Sequence, residues 1–293
     1  MRLHVVDGTF ELYRAHFAKR PDHVLKDGTN VKATVGVMSS LLTLLQDTSE
    51  EVTHVAVAYD NPIVSFRNGL FDGYKTDEGV PPELRAQFDL VEDATRALGI
   101  TVWSMDEFEA DDAMGSAAAR FKDQVDEVRI LSPDKDMGQC LVQGRVVMVD
   151  RIRNKVVDEA AFTANRGIKP AQVPDWLALT GDTADGIPGL DGFGDKTAVA
   201  LLAAFGRLED IPAQPSTWPT SVRGAARLSV VLKADRDAAM LYRKLATLRT
   251  DAPISKTLEE LRWQGVPRAA YAQMLQRLEL ETTRPAPHRF AGA

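Results

Sequence analysis

Three short runs in the first half of the chain are almost continuously apolar, and each closes on an aspartate: Leu3 to Asp7, His54 to Asp60 and Val128 to Asp134. Apolar runs of this length read as strands buried on both faces, the mark of a parallel sheet. Between them lie stretches at helical spacing, Val31 to Leu45, Pro82 to Leu98 and the alanine-rich Asp111 to Phe121. Strands alternating with helices predict βαβ units and an α/β fold. In an open parallel sheet, ligands bind at the carboxyl ends of the strands. One aspartate there is more often a turn former or helix cap, but three in three form a pattern.

Past residue 158 the pattern changes. Segments 158 to 165, 170 to 180, 196 to 205, 221 to 236, 237 to 246 and 267 to 280 are helical in periodicity, with a proline-bearing loop at 207 to 220. The expected division is an α/β core over 1 to 158, a helical subdomain over 159 to 281, and a flexible tail over 282 to 293. A single cysteine excludes an internal disulfide. No apolar run approaches the roughly 18 residues of a membrane span, and the N-terminus shows no leader pattern. The expected location is cytoplasmic.

Further acids join the strand ends. Glu109, Asp111 and Asp112 open a predicted helix, Asp134 and Asp136 bracket a lysine, and Asp182 and Asp185 lie three apart. Capping and the helix dipole account for one acid at a helix start, at about 0.3 to 1 kcal/mol, but not for three. If the segments converge, Asp7, Asp60, Glu109, Asp111, Asp112, Asp134, Asp136, Asp182 and Asp185 cannot all stay ionised without compensation. Divalent cations are the natural compensation, and oxygen donors select hard ions such as Mg²⁺ or Mn²⁺. Paired ions of this kind clamp the two oxygens of an in-line phosphoryl displacement. Phosphodiester hydrolysis is the chemistry so implied.

Other chemistries fit less well. The five histidines lack zinc-ligand spacing, and there is no nucleophile elbow of the GxSxG kind. Gly189 to Thr197 resembles a nucleotide-binding loop, but Asp195 separates Gly194 from Lys196. The net charge of -7 argues at first against a nucleic-acid partner. Its distribution does not: residues 1 to 112 hold 20 acidic against 10 basic side chains, and the remainder 22 against 25.

Taken in order, VDGTFELYRA at 6 to 15, AYD at 58 to 60, SFRNGLFDGYK at 65 to 75, EADD at 109 to 112, SPDKD at 132 to 136 and LTGDTADGIPGLDGFGDKTA at 179 to 198 closely resemble the bacterial 5′-nuclease family. That family comprises the flap endonucleases and the 5′-3′ exonuclease domain of DNA polymerase I. The resemblance runs from about residue 1 to 280. It implies a PIN-like, mostly parallel sheet flanked by helices, a helical arch at about 70 to 90, and a helix-hairpin-helix at about 186 to 205. It implies two or three Mg²⁺ or Mn²⁺ ions on the nine carboxylates, with Arg67 and Lys75 as catalytic cations at the scissile phosphate. Gly189, Gly192, Gly194, Lys196 and Thr197 would hold the DNA backbone and a K⁺ ion. Arg223 and Arg227 belong to a basic stretch that is either a solvated helix face or a duplex track.

The implied partner is DNA as a flap, nicked or gapped duplex, together with RNA-DNA hybrid. A monomer acting at the bacterial nucleoid is expected, with a DNA polymerase or ligase as the class of protein partner. Two positions depart from the family pattern. Glu78 stands where an arginine often follows the arch lysine, and Gly186 stands where asparagine is common, a change that would loosen the turn beside Asp185. A non-catalytic DNA-junction binder and a PIN-type single-strand ribonuclease are the competing expectations.

Overall fold

The computed structural model describes residues 1 to 292; Ala293, the end of the expected tail, lies outside the described residues. The chain divides into two compact units. One holds Met1–Ser65, Asp77–Ser132 and Thr250 onward, and the other Phe66–Thr76 and Pro133–Arg249. The boundaries differ from a single break near residue 158, because the chain leaves each unit and returns to it.

The first unit is built on four parallel strands, β1 (Arg2–Asp7), β2 (Val52–Asp60), β3 (Thr101–Met105) and β4 (Glu127–Leu131), in the order β3-β2-β1-β4. The interiors of β1, β2 and β4 are buried, as their apolar runs require. The β3 strand was not expected. It carries only Val102, Trp103 and Met105 as apolar residues, and pairing with β2 makes it a strand.

Around the sheet lie α1 (Gly8–Phe17), α2 (Lys32–Gln46), α3 (Pro82–Arg85), α4 (Phe88–Ala97) and α5 (Ala110–Phe121). The small residues Ala113, Gly115, Ala117 and Ala118 let α5 pack closely on β1, β2 and β3. The helix expected over 82 to 98 breaks at Gln87, a buried side chain that accepts from Thr34 N at 3.0 Å and donates to the Glu83 carbonyl at 3.0 Å. Residues 70 to 81 of the expected arch run as turns and bends without helix. Gly73 and Gly79 lower helix propensity there, and Pro81 closes the stretch.

The expected flexible tail is instead packed. Thr283 is buried, its hydroxyl 2.7 Å from that of Tyr271, and Arg289 donates to the Trp263 carbonyl at 2.9 Å. Its polar groups thus find partners inside the first unit, which a composition-based reading does not reveal.

The second unit holds an antiparallel pair, β5 (Val146–Asp150) and β6 (Lys155–Val157), and the helices α6 (Glu159–Arg166), α7 (Val173–Thr180), α8 (Asp195–Phe205), α9 (Ala225–Ala234) and α10 (Arg236–Ala246). A last helix, α11 (Arg268–Arg277), returns to the first unit. No helix among the described residues is long and apolar enough to cross a membrane.

Candidate metal centre

In the first unit the acids sit where strands end and helices begin. The order β3-β2-β1-β4 reverses direction between β1 and β4, the switch point beyond whose carboxyl ends parallel sheets bind ligands. Asp7 stands there, 8% exposed. One oxygen caps α1 by accepting Phe10 N–H at 2.8 Å, and the other accepts the Ser132 hydroxyl at 2.9 Å. Asp7 pairs in register with Ala58, so Asp60, two residues further along β2, points to the same side of the sheet. Its carboxylate accepts Ala110 N–H at 2.8 Å.

Glu109 and Asp112 are buried at the start of α5. Asp112 accepts Glu109 N–H at 3.1 Å, and Glu109 accepts the Ser65 hydroxyl at 2.6 Å. Asp111, in the same first turn, is half-buried. Capping thus orients several of these groups, as an ordinary cap would, and aligns them at one end of the sheet.

The second unit brings three carboxylates much closer. Asp136, Asp182 and Asp185 each offer an oxygen within 4.8 Å of the others. Among the described residues no other group of three acids closes to this spacing. The Asp136 backbone is set by Asp134, whose carboxylate accepts Asp136 N–H at 2.8 Å. Asp182 is held by a two-way backbone bridge to Ile187, 2.8 Å in each direction, and caps its own turn by accepting Ala184 N–H at 3.0 Å.

Asp136 is 4% exposed, and its Oδ1 has no hydrogen-bond partner. Burial first, and then the negative charge of Asp134, outweigh the Lys135 ammonium and, with Asp185 and Asp182 adding, push its carboxyl up to about 8. An orphaned buried oxygen among like charges is what a divalent cation would relieve, and an all-oxygen donor set suits Mg²⁺ or Mn²⁺.

Two lysines already meet the trio. Lys135 pairs with Asp182 and lies 3.6 Å from Asp136 Oδ1. Burial works against its charge, but Asp136, Asp182 and Asp134 together hold its pKa above the ordinary value. In the sequence, the bracketing of Lys135 by Asp134 and Asp136 is the one signal of this role. Lys75 pairs with Asp185 at 2.9 Å.

Arg67 lies inside the second unit. Its side chain is 1% exposed; Nε donates to the Leu245 carbonyl at 2.7 Å and Nη2 to that of Thr247 at 3.2 Å. A guanidinium so buried on carbonyls at the end of α10 braces the second unit from inside.

The hairpin between α7 and α8 takes the expected form. Gly189 and Gly192 have φ of +70° and +78°, and a Cβ on Gly189 would lie 2.4 Å from Gly181 N. Gly194 caps α8 without any side-chain hydrogen bond, and its carbonyl accepts the N–H of half-buried Thr197 at 3.0 Å, so the helix start presents the N–H groups of Asp195 and exposed Lys196. Of the basic stretch, Arg223 is exposed, while Arg227 pairs with Asp191 at 2.8 Å. Arg236 and Arg243 are taken up inside the unit, the first on carbonyls of 208 to 211 and the second on Asp175 and Glu209. The continuous track is therefore shorter than its composition implies.

Residues 2 to 167 match the family model described as 5′-3′ exonuclease, N-terminal resolvase-like domain, and residues 168 to 269 match its C-terminal SAM fold. A 5′-3′ exonuclease of Aquifex aeolicus is 30% identical over 281 residues, covering 96% of this chain and 93% of that protein. DNA polymerase I of Bacillus caldotenax is 34% identical over 287 residues, or 96% of this chain, and the chain spans about a third of that polymerase's length. In fold, the chain is similar to the T5 5′-exonuclease with bound zinc, at a TM-score of 0.66 and 17% identity over 95% of this chain and all of that one. The order of the motifs, the acids gathered at strand ends and turns, and two consecutive family models agree: the chain belongs to the 5′-3′ exonuclease family, a family of nucleases.

Proposed function

We propose that the chain is a structure-selective, divalent-metal-dependent 5′ nuclease. Its substrates are phosphodiesters at flaps, nicks and 5′ ends of duplex DNA, and RNA primers annealed to DNA. The trio Asp136, Asp182 and Asp185, the first two buried and the third half-buried, with an Asp136 oxygen that accepts no hydrogen bond, carries this reading. Together with Asp134 these residues would hold one Mg²⁺ or Mn²⁺. Asp7, Asp60, Glu109, Asp111 and Asp112 supply carboxylates for a second or a third. When bound, such ions would polarise the phosphodiester and lower the pKa of the attacking water.

The protein's own groups do the rest. Lys75 places a positive charge where negative charge grows in the transition state. The hairpin at Gly189 to Thr197, with a K⁺ ion, holds the duplex backbone without reading its sequence. Lys135 balances Asp136 and Asp182 until a divalent ion does so. The cellular work that fits is Okazaki-fragment maturation and excision repair, beside a DNA polymerase or ligase.

A 5′-labelled flap incubated with Mg²⁺ or Mn²⁺ tests the reading, with product lengths separating exonucleolytic from endonucleolytic cleavage. Asp136→Asn abolishes cleavage and leaves flap binding largely intact. Full activity in that variant, or in excess EDTA, overturns the proposal.

A further inference from the structure

Gly186 follows Asp185 directly and has a left-handed backbone, φ +74°. A Cβ at this position would lie 2.1 Å from the Gly73 carbonyl oxygen, with Lys75 N 3.5 Å away. The neighbour is backbone, so no flexible side chain can swing aside. Residues 73 to 75 therefore lie directly on the Asp182 to Ile187 turn, where no side chain fits between them.

The contact has a close sequel. Lys75 N–H donates to the Asp185 carbonyl at 3.0 Å, and Lys75 Nζ meets Asp185 Oδ1 at 2.9 Å. Tyr74 is buried, and Asn68 Nδ2 donates to the Lys75 carbonyl at 2.9 Å. These contacts hold the segment in a single register. Glycine at 186 opens the space in which the segment sits. Asparagine tolerates the left-handed conformation, so the demand for glycine here comes from space.

We propose that Gly186 is a positioning residue for Lys75. Its missing side chain lets the Gly73 carbonyl rest on the turn and sets the register in which the Lys75 ammonium meets Asp185. The inference rests on the reading of Lys75 as the cation at the scissile phosphate. A side chain at 186 must push the Gly73 carbonyl away by about 1 Å to restore ordinary contact, and a shift of that size passed along the segment to Lys75 costs a positioned group on the order of 100-fold in rate.

The test compares Gly186→Ala, Gly186→Asn, Lys75→Ala and Lys75→Ala combined with each glycine variant. Gly69→Ala is the control, since a Cβ there meets nothing within 4 Å. Two quantities are read: amide hydrogen exchange at Lys75 in metal-free protein, and single-turnover flap cleavage with Mn²⁺. Expected are at least about tenfold faster Lys75 exchange in the 186 variants and a roughly 100-fold lower single-turnover rate, with the enzyme concentration for half-maximal rate little changed. The double variants should be no slower than Lys75→Ala alone. Unchanged Lys75 exchange, or a 186 effect that multiplies in full onto Lys75→Ala, overturns the inference. Wild-type cleavage by Lys75→Ala removes the catalytic reading of Lys75 and the inference with it. Should Gly186→Ala fail to fold, Gly186→Asn, which accepts the backbone angle, decides alone.

Discussion

Lys75 is held by Asp185 at both ends: its backbone N–H reaches the Asp185 carbonyl at 3.0 Å, and its ammonium lies 2.9 Å from the Asp185 carboxylate. The backbone contact fixes where the side chain starts and the ion pair fixes where it finishes. A cation so placed beside the carboxylate trio is set before any substrate arrives, which is what electrostatic preorganisation requires.

Replacing Lys75 with alanine should therefore damage chemistry far more than stability. The pair is partly buried, with Lys75 23% and Asp185 17% exposed, and solvent screening holds its contribution to stability to about 1 kcal/mol. Cleavage of a labelled flap should fall by about 10² to 10³, the loss typical of one preorganised transition-state group, with flap binding in Ca²⁺ within about threefold. A parallel loss of binding and cleavage would assign Lys75 to substrate grip instead.

The stability of the metal-free protein should fall as pH rises. The Asp136 carboxyl is raised to about 8 by burial and by Asp134, so between its ordinary value and 8 the folded state binds the extra proton. Stability declines wherever the folded state holds more protons than the unfolded one. Melting midpoints in EDTA should drop between pH 5 and 8, and Asp136→Asn should flatten that slope. Saturating Mn²⁺ should reverse the drop in the wild type. A midpoint that rises over this range in EDTA would contradict the buried geometry of the trio.

Arg67→Met should destabilise the protein by about 3 kcal/mol, because the carbonyls of Leu245 and Thr247 lose a charged donor. Urea denaturation reads this directly. Arg67→Lys should not rescue it, since an ammonium cannot reproduce the guanidinium fork. Normal stability with lost cleavage would restore a role at the phosphate.

The Asp191–Arg227 pair offers a readout of the hairpin. Its two side chains are exposed, and Arg227 Nη2 lies 1.9 Å from where a Cβ on Gly192 would stand. Asp191→Asn should free the guanidinium for a phosphate, so the slope of log affinity for duplex against log salt should steepen by about 0.9. An unchanged slope would place Arg227 outside the DNA contact.

Much of this molecule could be read locally. The apolar runs of β1, β2 and β4, the aspartates that close or follow them, and the helices α5, α7, α8 and α10 follow from periodicity, because burial on a strand or helix face repeats along the chain. Segments whose state depends on what lies opposite were harder. The β3 strand needs β2 beside it, the break at Gln87 needs Thr34, and residues 282 to 292 are ordered by Tyr271 and Trp263.

The candidate site divides along the same line. The acids were legible because aspartates clustered at strand ends and in tight turns stand out in any local reading. Their arrangement was not. Only tertiary structure closes Asp136, Asp182 and Asp185 into one trio, turns Arg67 inward onto α10, and seats residues 73 to 75 against Gly186. Residue type limits what a side chain can do, but its task depends on the dielectric and partners around it, and distant parts of the chain supply those when they pack.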